Sequence, residues 1–280
     1  MIISRRNILK GGLIGGPLAA LGAYAYGRGP GRKNIKVEKK DVFFADLPRE
    51  LDGFRIAHLS DFHIDPLIEQ EHHAKAVEIT NRLKPDLVAL TGDFVSDRSE
   101  TITELSPQLG KFDAKYGVMA SLGNHDGWSG ARRVAKGLER DGTRVLENDG
   151  LSLSKEGIPL HVGGVESVWA GQPDPVKAFA NSSKEEFGLL LCHEPDVFPD
   201  YTGEGSPISL MLAGHTHGGQ VCCPGIGALE LPRFGKRFPH GLFESGEAQL
   251  HVNPGIGTVD IHVRFWCPPE VTLLTLRQKV

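Results

Sequence analysis

Cysteine is scarce in this chain: Cys192, Cys222, Cys223 and Cys267 are the four in 280 residues. None has zinc-finger spacing, which excludes a finger-type framework. Cys192 sits in an apolar run and reads as a small buried hydrophobe. Cys222 and Cys223 read as packing residues, with a place lining a site as the other reading; disulfide pairing stays open. Charge of one sign is lacking too. The balance of 31 Lys and Arg against 35 Asp and Glu leaves −4, so no basic excess points to nucleic acid. Beyond the N-terminal segment there is no repeat or low-complexity block. What remains is an ordinary globular composition, 40% hydrophobic and 24% charged, long enough for one large α/β domain.

The first 27 residues read as lying outside that domain. Ser4-Arg5-Arg6-Asn7 and Ile8-Leu9-Lys10 precede a glycine-rich, mildly apolar run to Tyr26. A basic start followed by such a run fits a twin-arginine export signal. Ala23-Tyr24-Ala25 offers a cleavage point; uncleaved, the 19 residues from 8 to 26 approach the length of a membrane anchor. The expected location is therefore the periplasm or the outer face of the cytoplasmic membrane, with the export machinery as a partner. Residues 28–50 read as a basic linker and lead-in. Its Arg28, Arg32, Lys33, Lys36, Lys39 and Lys40 could lie against anionic lipid or simply be solvated. The catalytic-type domain is expected over 51–280.

Within it, strand-like and helix-like stretches alternate. Residues 55–60, 86–91, 117–122, 188–192 and 208–213 read as strands, with short β segments at 250–253 and 271–276. Ile68, Ala76, Ile79 and Leu83 share one helical face that Pro85 ends, and 132–140 reads as a helix. Each of the five strands ends at a chemically rich word. These are Asp61-Phe62-His63, Gly92-Asp93, Gly123-Asn124-His125-Asp126, His193, and Gly214-His215-Thr216-His217. Open α/β sheets form their sites beyond the carboxyl ends of strands, so these words can meet. The expected fold is α/β, with two sheets packed face to face and helices outside.

The chemistry of the words is that of a two-metal centre. Asp61 and His63 are two apart and would point to one side of an extended strand end. Asp93 follows a glycine that permits a sharp turn, and its two oxygens can bridge two cations. Asn124 offers a neutral carbonyl; His193, His215 and His217 offer ring nitrogens. Two divalent ions bring four positive charges against two from the aspartates, so the centre stays positive and suits a phosphate oxyanion. The N/O ligand set fits manganese, iron or zinc. His125, next to Asn124, is expected in the cleft as a general acid tuned by Asp65, Asp97 or Asp126. His58 reads as structural. His72 and His73 read as solvated on a polar helix face, and His161, His240, His251 and His262 lack ligand spacing. Arg264 reads either as a phosphate holder or as a salt-bridged scaffold residue.

Taken in order, D-x-H, G-D, G-N-H-D, H and G-H-x-H resemble the five blocks of the calcineurin-like metallophosphoesterase superfamily over roughly 54–277. The resemblance implies a four-layer α/β/β/α sandwich of two mixed sheets flanked by helices. It implies Asp61, His63, Asp93 and His217 as ligands of one metal, Asp93, Asn124, His193 and His215 as ligands of the other, and His125 as the cleft acid. Gly218-Gly219-Gln220, Trp169-Ala170-Gly171, Gly255-Ile256-Gly257, Arg264 and Pro269-Glu270-Val271 are similar to the YaeI/YkuE-type branch of bacterial phosphodiesterases. A related branch cleaves the pyrophosphate of UDP-2,3-diacylglucosamine. The expected function is thus a binuclear phosphodiesterase or pyrophosphatase using metal-bound hydroxide and a histidine acid. A lipid-linked phosphate and a membrane surface are candidate partners. A phosphomonoesterase or protein phosphatase, or a non-catalytic metal-stabilised binding module, are the competing expectations.

Overall fold

A computed structural model of the chain describes residues 20–65, 70–183 and 186–279. Most of the expected export leader, and Ile68 of the expected helix face, lie outside the described residues. Among those described, no helix is long and apolar enough to cross a membrane. In chain order the strands are β1 (Lys36–Phe44), β2 (Arg55–Leu59), β3 (Leu87–Thr91), β4 (Val118–Ser121), β5 (Thr143–Val145), β6 (Asp149–Lys155) and β7 (Ile158–Gly164), then β8 (Phe187–Leu191), β9 (Leu210–Ala213), β10 (Cys222–Cys223), β11 (Gly227–Ala228), β12 (Gly241–Ser245), β13 (Ala248–Val252) and β14 (Glu270–Gln278). The helices are α1 (Gln70–Arg82), α2 (Ile102–Leu109), α3 (Asn124–Arg140), α4 (Pro175–Ala178) and α5 (Phe198–Tyr201).

Two six-stranded sheets carry the architecture, ordered β1-β14-β2-β3-β4-β5 and β12-β13-β9-β8-β7-β6. Strands β2, β3 and β4 run parallel, as do β7, β8 and β9, while β14 is antiparallel to β2 and β12 to β13. Alternation along the strands splits the apolar residues between faces. Ile56, Leu87, Ala89 and Leu274 of the first sheet meet Leu189, Leu191, Leu210 and Leu212 of the second in one buried cluster. The opposite face of the first sheet packs Leu59, Val88, Leu90 and Ala120 under Ala76, Ile79, Leu105, Val134 and Leu138 of α1, α2 and α3. The outer face of the second sheet lies under Phe179 and Phe198. The layers are therefore α/β/β/α, as expected, with the site-bearing strand ends of both sheets opening on the same side.

Two expectations change here. The basic linker is built into the fold: β1 pairs in parallel with β14 along its whole length, from Lys36 opposite Glu270 to Phe44 opposite Gln278. Before it, residues 20–26 are helical and Gly27–Gly31 form a π-helical turn. That turn packs on the domain, with Gly27 O accepting from Arg264 N at 3.1 Å and Tyr26 edge-on to Phe265. The end of the expected leader is thus in contact with the rest of the fold. The second change concerns His73, which is fully buried and bonds Phe62 O through Nε2 at 2.9 Å. His72 likewise reaches Ile256 O at 3.0 Å and is part-buried. His73 is not solvated and His72 only partly so, because α1 sets His73 against the loop after β2 and His72 against the loop between β13 and β14.

Buried imidazoles give the fold an acid limit. Burial pushes His58 down to about 3 and His73 to about 4, and holds His251 well below the ordinary imidazole range. In the unfolded chain each takes a proton near ~6.5. Unfolded protein therefore binds more protons as the pH drops from there, and stability present in full above that value is lost toward acid. Each histidine contributes a slope of up to ~1.4 kcal/mol per pH unit between about pH 6 and 4.5. Denaturant midpoints should fall from pH 7.5 to 5.0, and His73→Gln should flatten the decline. A pH-independent midpoint over that range would contradict this account.

Candidate metal centre

The sequence words sit at strand ends, but the backbone there is not extended. Strand β2 stops at Leu59, and Asp61 and His63 adopt left-handed φ of 53° and 44°. Asp93, His215 and His217 do the same at 53°, 72° and 51°. Left-handed geometry at a residue with a side chain costs about 1–2 kcal/mol, so the loops must be held. Backbone bonds between loops do this: Asp61 N donates to Gly92 O at 3.0 Å, His63 N to Asp93 O at 3.0 Å and Gly214 N to His193 O at 2.9 Å. Two glycines are required by crowding. A Cβ on Gly123 would strike Asp93, and one on Gly214 would strike Ser60 and Asp61.

These turns bring six of the seven expected ligands into two groups. Asp61, His63 and His217 have ligand atoms within 4.8 Å of one another, as do Asp93, His193 and His215. His63 Nε2 lies 3.4 Å from Asp93 Oδ2, and His193 Nε2 lies 3.1 Å from the same oxygen. That carboxylate therefore joins the two groups. Asn124 is buried at the start of α3, one residue after Gly123. The expected helix at 132–140 in fact begins at Asn124, with Gly130 as a kink (φ 130°). Asn124 and His125 accordingly stand in the first helical turn.

The donor set fits divalent cations for a reason visible in the hydrogen bonds. His193 Nδ1 bonds Thr91 O at 2.6 Å and His215 Nε2 bonds Arg233 O at 2.7 Å. A carbonyl only accepts, so each ring commits its one neutral N–H there. The two remaining nitrogens, His193 Nε2 and His215 Nδ1, then face each other at 3.3 Å as lone pairs, beside a carboxylate. His63 Nε2 and His217 Nε2 also face each other, at 3.1 Å, beside Asp61 and Asp93, and His63 Nδ1 is buried without a partner. Asn124 Oδ1 is buried with no hydrogen-bond partner. Facing lone pairs and an orphaned carbonyl are costly unless a cation lies among them.

The electrostatics agree. Burial alone would raise Asp93, but His193 and His63 beside it hold it well below the carboxylate range. Burial would lower His193, yet the Asp93 charge outweighs it and holds that ring well above the usual imidazole value, so without a cation a proton takes the place beside Asp93 that the His193 lone pair offers a metal. Burial lowers His215, helped by the neighbouring His193, and takes His217 down to about 4. The backbone supports the carboxylates: His125 N donates to Asp93 Oδ1 at 2.9 Å and His215 N to Asp61 Oδ2 at 3.0 Å.

His125 is half-buried against this group, its ring 4.8 Å from that of His63. Its Nδ1 bonds Ser96 O at 2.5 Å, so none of the three expected aspartate partners holds the ring. Asp126 instead turns back to accept from Phe94 N, Val95 N and Gly123 N, which caps α3. Burial pushes Asp126 up to about 7. Asp65 pairs with His262 at 3.8 Å, and Asp97 is exposed. Arg264 meets neither expectation. It is fully buried and donates to the carbonyls of Gly257, Pro254 and Cys267, with no carboxylate partner among the described residues. Its role is to brace the chain behind His217, whose Nδ1 lies 3.4 Å away. Cys222 and Cys267 back the same loop through Gly218 O and His217 O. His58 and His251 form a buried pair at 2.9 Å, and His161 bonds Ala178 O.

The profile of the family described as calcineurin-like phosphoesterase matches residues 54–219. The chain belongs to that family. It is 32% identical to the uncharacterized metallophosphoesterase YkuE of Bacillus subtilis, over 98% of both chains. It is also 32% identical to the phosphodiesterase YaeI of Escherichia coli, over 80% of this chain and 82% of that one. Among solved structures it resembles a 5'-nucleotidase precursor of Thermus thermophilus with a TM-score of 0.51 at 12% identity. That match covers 79% of this chain but 54% of the other, so the chain spans about half its length and shares the fold alone. These relatives support a metal-dependent phosphoester hydrolase, and the calcineurin-like family uses divalent metals.

Sequence reasoning missed Trp128 and Glu194, and the Trp169 turn stood out in the sequence only as a branch feature. Trp128, three residues after His125, and Trp169 stand at the cleft, and Glu194 fixes the turn that carries Trp169. The helical spacing of His125 and Trp128 was the available signal, hidden because the helix was expected to start later.

Proposed function

We propose that the chain is a binuclear metal-dependent phosphodiesterase or pyrophosphatase with His125 as its proton donor. The observation that carries the reading is the Asp93 carboxylate, shared between two ligand groups and bonded to the backbone of His125. Asp61, His63 and His217 would hold one ion, Asn124, His193 and His215 the other, and Asp93 both. Manganese, iron or zinc bound there would draw charge from phosphoryl oxygens and make water acidic enough to attack at neutral pH. The protein's own share is positional. Left-handed loops aim the ligands, and backbone N–H groups fix each aspartate in one rotamer. Because His125 Nδ1 is engaged by Ser96 O, its Nε2 is the nitrogen that carries a proton to the departing oxygen. An exported location and a lipid-linked phosphate belong to the same proposal. They rest on the twin-arginine-type leader and the cationic residues that follow it.

The test is turnover by the full chain, stripped with chelator and reloaded separately with manganese, iron(II) or zinc. Substrates are a phosphodiester, a phosphomonoester and a lipid pyrophosphate. Stripped protein should be inactive and recover on reloading, with kcat/KM for diester or pyrophosphate at least ~10-fold above monoester. A preference for the monoester would make the chain a phosphatase. No turnover with any loaded metal would leave a binding module.

A further inference from the structure

The proton donor marks which side of the cleft the leaving group occupies, and that side is aromatic. Trp128 lies three residues after His125 in the first turn of α3, so the two share a helix face. Their rings are 5.4 Å apart. Trp128 meets Trp169 edge to face at 4.9 Å, and Trp169 in turn stands 5.8 Å from the His215 ring and 6.2 Å from Phe234. The Arg233 guanidinium lies over Phe234 at 4.5 Å. Despite these contacts Trp128 is 54% and Trp169 37% exposed. Two large indoles held open beside a catalytic-type centre need a reason, since burying them elsewhere would stabilise the fold.

The wall is also built. Glu194, fully buried and next to His193, spends its carboxylate on the turn that presents Trp169. It accepts from Ser167 Oγ, from Val168 N at 2.9 Å and from Trp169 N at 3.2 Å. Ser167 Oγ accepts in addition from Ala170 N at 3.1 Å. Across the gap, Gly127 allows α3 to close on this turn, because a Cβ there would meet the Ala170 methyl at 2.6 Å. The two tryptophans are thus fixed from both sides. The ring contacts along the wall are edge-on or tilted, between imidazole, indole and phenyl, with a guanidinium over the phenyl face.

We infer that Trp128 and Trp169 form a stacking subsite for the leaving group, and that the chain takes phosphodiesters whose leaving group carries a planar aromatic ring. A flat ring beside His125 would place the ester oxygen at the proton donor while its face rests on indole. This rests on the hydrolase reading above but concerns recognition, which can be measured without turnover.

The experiment is calorimetric titration of the full, metal-loaded chain with non-hydrolysable phosphonates. The probes are phenylphosphonate, a nucleoside 5'-phosphonate, butylphosphonate and octylphosphonate. The ring-bearing probes should bind about tenfold or more tightly than butylphosphonate. That ratio should collapse toward one in Trp128→Ala and in Trp169→Ala, and recover in Trp128→Phe. A nucleoside probe that outbinds the phenyl one assigns the ring to a nucleobase, and the reverse assigns it to a simple aryl group. Octylphosphonate binding tighter than both ring-bearing probes would overturn the inference in favour of an acyl chain, as would a ring preference that survives both alanine variants. If the preference holds but no diester is hydrolysed, the hydrolase reading fails and the subsite stands. If diesters are hydrolysed with no ring preference, the subsite alone is wrong.

Discussion

Asp93→Asn should abolish turnover and leave the protein unable to hold its full metal complement. The substitution keeps the shape and removes one negative charge from a group that two imidazoles face, at 3.1 Å and 3.4 Å. It also imposes an orientation. One Asp93 oxygen accepts the His125 N–H at 2.9 Å, so an asparagine must place its own carbonyl there. Its NH2 then points at His63 and His193, where cations would be repelled. Metal affinity should fall more than ~100-fold, beyond the loss seen for groups that merely support ligands. Turnover should fall at least ~10³-fold, the scale of losing one strong electrostatic contact in a dry site. Elemental analysis should give fewer than two equivalents per chain, while circular dichroism stays native because the core clusters do not include this residue. Two equivalents retained with native turnover would remove Asp93 from its shared position.

Much of this site was legible because its residues are chemically distinctive and stand where parallel strands end. Apolar runs before Asp61, Asp93, Asn124, His193 and His215 are strands β2, β3, β4, β8 and β9 or their immediate continuations. The layer order followed from the same alternation. What the sequence did not carry was conformation that only tertiary contact can enforce. No propensity argument puts Asp61, His63, Asp93, His215 and His217 at positive φ; neighbouring loops impose it, and the strain is spread over five residues in three loops that brace one another. His73 looked solvated because its helix face is polar in composition, yet that face is covered by the loop at Phe62. Arg264 looked like an anion holder because arginine usually finds an anion; here clustered backbone carbonyls substitute for one. Asp126 looked like a partner for His125 by adjacency, but a helix start claims it first.

His125→Ala should lower kcat by ~10²–10⁴-fold and leave the metal content unchanged. The reasoning separates two roles that the geometry brings close. His125 shares a 4.8 Å neighbourhood with His63 and Asp93, so it could in principle be a ligand. Its backbone N–H, however, already serves Asp93, and that contact survives truncation of the ring. If the ring donates a proton, the loss must scale with how badly the leaving group needs one. An alkyl phosphodiester, whose alkoxide is strongly basic, should suffer close to the full loss. A p-nitrophenyl diester, whose phenolate leaves unaided, should suffer far less. Metal stoichiometry by elemental analysis, measured on the same protein, reads the competing role directly. Equal losses for both substrates accompanied by loss of an ion would make His125 a ligand, and the proton donor would have to be sought elsewhere in the cleft.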